Sequence, residues 1–204
     1  MGYKKGETLK TAFDTYVIER QRGVGGSGEV YEVRDSEGEP YAAKILDTAR
    51  TSASRLKRFK NEIGFCTKNT HKNIVKVLAS GITEKGATFY VMPLYSGTLR
   101  DLISKGIEAA AVLPYFGQVL HGVDFAHLHG VWHRDNKPEN ILFDQKSDNL
   151  VVADFGIAHF EDEELLTAVE TKNNERLANF FTPRPSRGSA ESQSIARPTF
   201  TLSV

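Results

Sequence analysis

The chain has 204 residues, 40% of them apolar, enough to bury a core in one large domain or two small ones. Lysine plus arginine equals aspartate plus glutamate at 26 each, so no overall charge draws it to nucleic acid or a membrane surface, and an anionic partner has to be bound locally. The single cysteine, Cys66, excludes an internal disulfide framework, and no apolar run approaches the ~18 residues of a membrane span. The amino terminus MGYKKGETLK lacks the apolar core of a signal peptide, and Gly6 stands where a myristoylation motif wants serine or threonine, so a reducing, cytoplasmic setting is expected.

In chain order, TYVIERQR, EVYEVRD and YAAKIL read as three strands of a meander, broken by a glycine-rich loop and by the turn from Ser36 to Pro40. Leu56, Phe59, Ile63 and Cys66 recur at spacings of three and four and predict a helix. NIVKVLASGI and ATFYVMPL predict two more strands, joined at Glu84, Lys85 and Gly86. A short helix is expected around Leu99 to Ile103, and the longest one from Ala109 to His129. Short strands at ILF and LVVA flank a turn at Lys146 to Asp148. Five strands with one helix, then mainly helix, predict an α+β chain of two unequal lobes with a hinge near Leu94 to Gly97. After Phe181 the composition shifts abruptly to Ser, Thr, Pro and Arg, so residues 182–204 are expected to be a disordered tail.

Four motifs carry chemistry. In GVGGSGEV, glycines 23, 25 and 28 let backbone N–H groups approach phosphate oxygens closely. A plain hairpin loop or a dinucleotide-binding turn would use similar glycines, but the dinucleotide turn needs a helix afterwards, and Val30 to Val33 alternates as a strand. Lys44, in YAAKIL, either faces solvent or is held by Glu62 of the next helix as a fixed positive charge for phosphates. In HRDNKPEN, Asp135 can orient a hydroxyl or accept its proton, Lys137 can neutralise a transferring phosphoryl group, and Asn140 offers an amide oxygen to a hard cation. A polar turn explains two or three of these residues, not the whole string. In DFG, the Asp154 carboxylate at a strand end can bind magnesium, and Gly156 allows the backbone to pivot.

In that order, GxGxxGxV, a strand lysine, a helix glutamate, HRDxKPEN and DFG resemble the eukaryotic-type protein kinases, from about Tyr16 to Phe160. The resemblance implies a two-lobe fold: a five-stranded antiparallel sheet with one helix over residues 16–93, a hinge at 94–97, and an incomplete helical lobe over 98–181, preceded by an extension at 1–15. It implies ATP and Mg²⁺ as cofactors, with the loop Gly23, Val24, Gly25, Gly26, Ser27 and Gly28 over the phosphates. Val30 and Ala42 would lie against adenine, and Leu142 would close the base from below. Lys44 would bind the α- and β-phosphates and pair with Glu62; Asp135 would be the catalytic aspartate and Lys137 the γ-phosphate lysine. Asn140 and Asp154 would be the magnesium ligands. With Met92 as gatekeeper, adenine would bond the carbonyl of Pro93 and the N–H of Tyr95, and proline, which lacks an N–H, stands at the position that tolerates it. Lysine two residues after the catalytic aspartate resembles the serine/threonine class, whose partners are protein hydroxyls.

Two rivals stay open. Small-molecule phosphotransferases share the architecture but generally lack this lid and this lysine, and an ATP-binding scaffold without transfer activity would share most of the motifs. No APE motif closes the segment after DFG, so a carboxy-terminally truncated domain is expected, with a tail that reads as the product of a shifted reading frame or the remnant of an interrupted gene. The apolar face of the Ala109 to His129 helix, with Ile157, Phe160, Leu165 and Leu166, is then expected to stay partly uncovered and to favour self-association. Thr167 and Thr171 are the expected phosphorylation sites, facing Arg134.

Overall fold

A computed structural model describes residues 2–25, 28–46, 51–155 and 159–160. The expectations at Gly26, Ser27, Gly156, Ile157, Leu165, Leu166, Thr167, Thr171 and the tail lie outside the described residues, as does the side chain of Phe160.

The first lobe is built on a six-stranded antiparallel sheet of strand order β1-β2-β3-β4-β6-β5. The strands are β1 (Thr8–Lys10), β2 (Thr15–Gly25), β3 (Gly28–Arg34), β4 (Pro40–Leu46), β5 (Ala79–Ile82) and β6 (Thr88–Pro93). The sheet has one strand more than expected, because Thr8–Lys10, within the segment read as an extension, pairs with β2 at Leu9 opposite Tyr16. A three-residue strand without alternation leaves almost no periodic signal. The amino-terminal segment is further tied down by Tyr3, whose N–H donates to the Tyr31 hydroxyl at 2.9 Å and whose hydroxyl lies 2.8 Å from Thr83 Oγ1.

Alternation along the strands separates two cores. Leu9, Ile18, Tyr31, Val33, Ile45 and Phe89 pack on one face of the sheet. The opposite face packs on helix α1 (Ala53–Lys68), which Ser52 caps by accepting from the Arg55 N–H. That second core, with Phe59, Phe65, Cys66, Tyr90 and Met92, continues without a break into Val131, Ile141, Leu150 and Phe155 of the second lobe. One apolar cluster therefore fixes the two lobes against each other.

NIVKVLASGI, expected as one long strand, enters the sheet only at Ala79–Ile82. In its first half Ile74, Val75 and Val77 are buried, but Val75 N–H donates to Val152 O of the second lobe at 2.9 Å and Val152 N–H to Asn73 O at 2.8 Å, while Val77 N–H donates to Cys66 O of α1 at 3.3 Å. Periodicity reports that alternate residues are buried; it cannot say which partner buries them.

Among the described residues the second lobe holds α2 (Leu99–Lys105), α3 (Ala109–Leu128), a small sheet of β7 (Gly97–Thr98), β9 (Ile141–Asp144) and β10 (Asn149–Val152), and the pair β8 (Val131–Trp132) with β11 (His159–Phe160). A capping box between Thr98 and Asp101 starts α2 immediately after the hinge. α3 lies so close to β10 and the segment before it that a Cβ on Gly122 would come within 2.5 Å of Asn73 O and 2.9 Å of Val152 Cγ2, so only glycine fits there. On the exposed side of α3, Val112, Leu113, Phe116 and Leu120 remain open to solvent. No described helix is long and apolar enough to cross a membrane.

Candidate active site

A cleft of about 800 Å³ opens between the lobes, within the range of small-molecule sites. Its roof is the β2–β3 hairpin, its back is β4 with α1, and its floor comes from Asp135 to Leu142 and from Asp154. Gly23 and Gly25 have nothing within 4 Å of where a Cβ would stand, so the space under the hairpin is open. Gly28 differs: with φ at +135° and a Cβ position 2.6 Å from Ile45 O, it is required by the backbone itself.

Lys44 lies on β4 directly opposite Tyr90 of β6 and is only 4% exposed. The solvent-facing alternative for this lysine is therefore overturned. Its Nζ lies 3.1 Å from Glu62 Oε1 and 3.0 Å from Asp154 Oδ1. Glu62 is wholly buried within the apolar stripe of α1 and also accepts from the Tyr90 hydroxyl at 2.9 Å. Burial works to lower the lysine's pKa, but the two carboxylates outweigh it and hold the ammonium above its ordinary value. The result is a fixed cation joining a strand, a helix and the loop that follows β10.

The catalytic-loop candidates converge as well. The Asp135 carboxylate accepts from Lys137 Nζ at 2.7 Å and from Asn140 Nδ2 at 2.9 Å. The lysine contact holds that carboxyl below its usual range, so it is ionised and ready to accept from a hydroxyl. Asn140 Nδ2 also donates to the Asp135 backbone oxygen at 2.9 Å, which leaves the amide oxygen as the group available to a cation. Among the described residues, no three His, Cys, Asp or Glu side chains are grouped to hold a metal. One carboxylate and one amide oxygen suit Mg²⁺, which keeps waters and takes phosphate oxygens in place of a full protein cage. Val30, Ala42, Met92 and Leu142 line the apolar end of the cleft with Leu94 and Tyr95 of the hinge, while Pro93, the last residue of β6, is not among the lining residues.

Two supporting residues have no role in the sequence reading. His133 is buried; its Nδ1 accepts from the Asp135 N–H at 3.3 Å, so its Nε2 carries the proton and donates to Ala153 O at 2.8 Å. Burial lowers its pKa and keeps it neutral. It thus joins the loop bearing Asp135 to the residue before Asp154. Phe155 packs between Phe65 of α1 and His133, at ring distances of 5.1 and 4.7 Å. Both residues stand inside quoted motifs, but adjacency in sequence does not disclose contact with α1. Arg134 and Asp154 both adopt left-handed backbone conformations, φ 61° and 63°, strain that concentrates where the cleft is assembled.

A sequence profile of the protein kinase domain matches residues 16–178. The chain belongs to the protein kinase family. Among curated proteins, this kinase is 36% identical over 152 residues to CBL-interacting protein kinase 19 of Oryza sativa subsp. japonica, covering 72% of this chain and 30% of that protein. It is 34% identical over 151 residues to CBL-interacting serine/threonine-protein kinase 19 of Arabidopsis thaliana, covering 72% and 31%. A third relative, CBL-interacting protein kinase 12 of Oryza sativa subsp. japonica, is 36% identical over 157 residues, covering 75% and 29%. The kinase thus spans about three tenths of the length of these relatives. Over the described residues its fold is the two-lobe fold that its motifs imply, and the family's phosphoryl chemistry uses ATP with Mg²⁺.

Proposed function

We propose that this chain binds ATP with Mg²⁺ and transfers the γ-phosphoryl group to serine or threonine hydroxyls of proteins. The observation that carries the reading is the position of Lys44 Nζ, 3.1 Å from Glu62 and 3.0 Å from Asp154 at the back of the cleft. The lysine is aimed by a buried carboxylate and positioned for the α- and β-phosphates, beneath an open glycine hairpin.

In this reading, Val30 and Ala42 cover the adenine and Leu142 lies beneath it, past the Met92 gatekeeper, while the family pattern gives the edge of the base to the Pro93 carbonyl and the Tyr95 N–H. Asp135 accepts the hydrogen bond of the substrate hydroxyl and aims its oxygen at the γ-phosphorus. The P–O bond to that oxygen forms as the bond to the ADP oxygen breaks, and the hydroxyl proton passes to Asp135. Lys137, 2.7 Å from Asp135, faces the charge on the moving phosphoryl group. Asn140 and Asp154 would hold the metal, whose chemistry is to neutralise phosphate charge. The exposed apolar row on α3 supports self-association as a further property of the chain.

The test is transfer of labelled phosphate from ATP to a serine- and threonine-containing peptide library, beside magnesium-dependent ATP binding. Transfer that disappears in Asp135→Asn is expected. Binding without transfer would return the scaffold reading, and transfer to small-molecule hydroxyls alone would return the small-molecule phosphotransferase.

A further inference from the structure

We infer that Tyr31 is a positioning residue for the glycine hairpin: from the face of the sheet turned away from the cleft, its hydroxyl ties both strands of the hairpin to the amino-terminal segment and fixes how close the hairpin backbone stands to the phosphates. This rests on the ATP-binding reading above.

The hairpin needs such a tie because its own ladder is interrupted at the root. Gln21 opposes Tyr31 and Gly23 opposes Val30, so Arg22 is an extra residue between two pairs, a bulge at which the strand bends. Beyond it β2 pairs with β3 alone, and every residue from Gln21 to Gly25 is exposed. Glycine-rich strands joined past a bulge do not set their own angle.

Side chains on the far face make the connection. Glu29, next to Gly28 in the hairpin, stands two residues before Tyr31 on β3 and shares its face, where Tyr31 packs in the core at 1% exposure. The Tyr31 hydroxyl donates to the Glu29 carboxylate and accepts from Gln21 Nε2 at 3.3 Å. Gln21 Nε2 also donates to Glu29 Oε2 at 3.3 Å, so the cluster spans the bulge from β2 to β3.

The same hydroxyl receives the amino-terminal segment. Tyr3 N–H donates to it at 2.9 Å, and the two tyrosine rings meet edge to face at 5.8 Å. Tyr3 is anchored in turn beside β5, at the other margin of the sheet: its hydroxyl lies 2.8 Å from Thr83 Oγ1, and Lys85 Nζ, paired with Glu7 at 2.7 Å, sits 4.3 Å from the centre of its ring. One chain of contacts therefore runs from the β5–β6 turn to the root of the hairpin. The base end of the cleft does not depend on it, because Val30 is held by its pairing with Lys44 on β4, and Ala42 by its pairing with Met92 on β6.

The test is equilibrium binding of adenosine, and of ADP and ATP with magnesium, to the full chain and to Tyr31→Phe, Glu29→Ala and Tyr3→Ala, with thermal melts to establish folding. Tyr31→Phe keeps the ring in the core, and Glu29→Ala removes no core side chain. Each should weaken ATP by roughly threefold to tenfold, the worth of about one hydrogen bond, and leave adenosine within about twofold. Tyr3→Ala should act in the same direction, and combined with Tyr31→Phe it should add nothing, because both changes cut one chain of contacts. A tyrosine that only stabilises the fold would lower the melting temperature without moving the ratio of ATP to adenosine affinity. An unchanged ratio in Tyr31→Phe would therefore overturn the inference; if its melt shows it unfolded, Glu29→Ala carries the same decision. Fully additive losses in the double variant would overturn it as well. A wild-type chain that binds neither adenosine nor ATP would overturn the ATP-binding reading itself.

Discussion

The Lys44 ammonium and the Glu62 carboxylate meet at 3.1 Å inside the protein, one 4% exposed and the other 0%. Lys44→Met should abolish phosphotransfer, and it should also destabilise the first lobe, because it strands Glu62 with Tyr90 as its remaining hydrogen-bond donor in the pair. The expected cost is about 3 to 5 kcal/mol by denaturant unfolding. A second change, Glu62→Leu, should return part of that stability and none of the activity. Unfolding of Lys44→Met at the wild-type midpoint would show that the pair contributes nothing to the fold.

Asp154→Asn should weaken ATP binding in magnesium more than ATP binding in chelator, since the carboxylate is assigned to the cation and not to the base. Titrations with and without magnesium decide it. Equal losses in both would contradict that role.

His133 links a pH change to stability. Burial holds its folded pKa below the unfolded value, so at a pH between the two the unfolded chain binds more protons, and stability falls as pH falls. Its contribution is complete above the unfolded pKa and is lost progressively below it. The drop in unfolding free energy between pH 7.5 and 5.5 should therefore shrink in His133→Gln, though not vanish, because His71 is shifted in the same direction. An undiminished drop would mean that His133 does not titrate with folding.

Leu9 sits on a strand of three residues and is 0% exposed. Leu9→Ala should cost about 2 to 5 kcal/mol, the range for a leucine cut from a packed core. Loss of under 1 kcal/mol would show that the amino-terminal strand is only loosely attached.

On α3, Leu113 is 78% exposed and Phe116 59%. Replacing both with lysine should leave stability within about 0.5 kcal/mol of wild type and abolish any concentration-dependent increase in sedimenting mass. A large stability loss would show that this face is packed.

Much of the site was legible because its chemistry is compressed into short strings. HRDNKPEN holds Asp135, Lys137 and Asn140 within six residues, and their mutual contacts are made inside that turn. Lys44 and Glu62 were harder, since a strand lysine between alanines and an isoleucine is equally suited to solvent, and only the packing of α1 on β4 decides. The roles of His133 and Phe155 escaped because they depend on contacts with Ala153 and Phe65. β1 escaped for lack of length, and the apolar residues Ile74, Val75 and Val77 read as part of a strand of the first sheet because burial against β10 and α1 leaves the same apolar run as burial within a sheet.

The amino-terminal strand has one more effect. Although β1 and β5 stand at opposite ends of the strand order, a Cβ on Gly81 would come within 2.8 Å of Lys10 O, so the sheet curls until its two margins meet. Lys10 reaches Glu84 at 3.3 Å across that seam, and Lys85 reaches back to Glu7 at 2.7 Å. Exposed strand edges are templates on which other chains add strands and aggregate; here both are short, bridged by these two ion pairs and turned toward each other. Among the described residues of the first lobe neither edge strand is consequently left open to an extended peptide, so the protein substrate of the proposed reaction is left the mouth of the cleft.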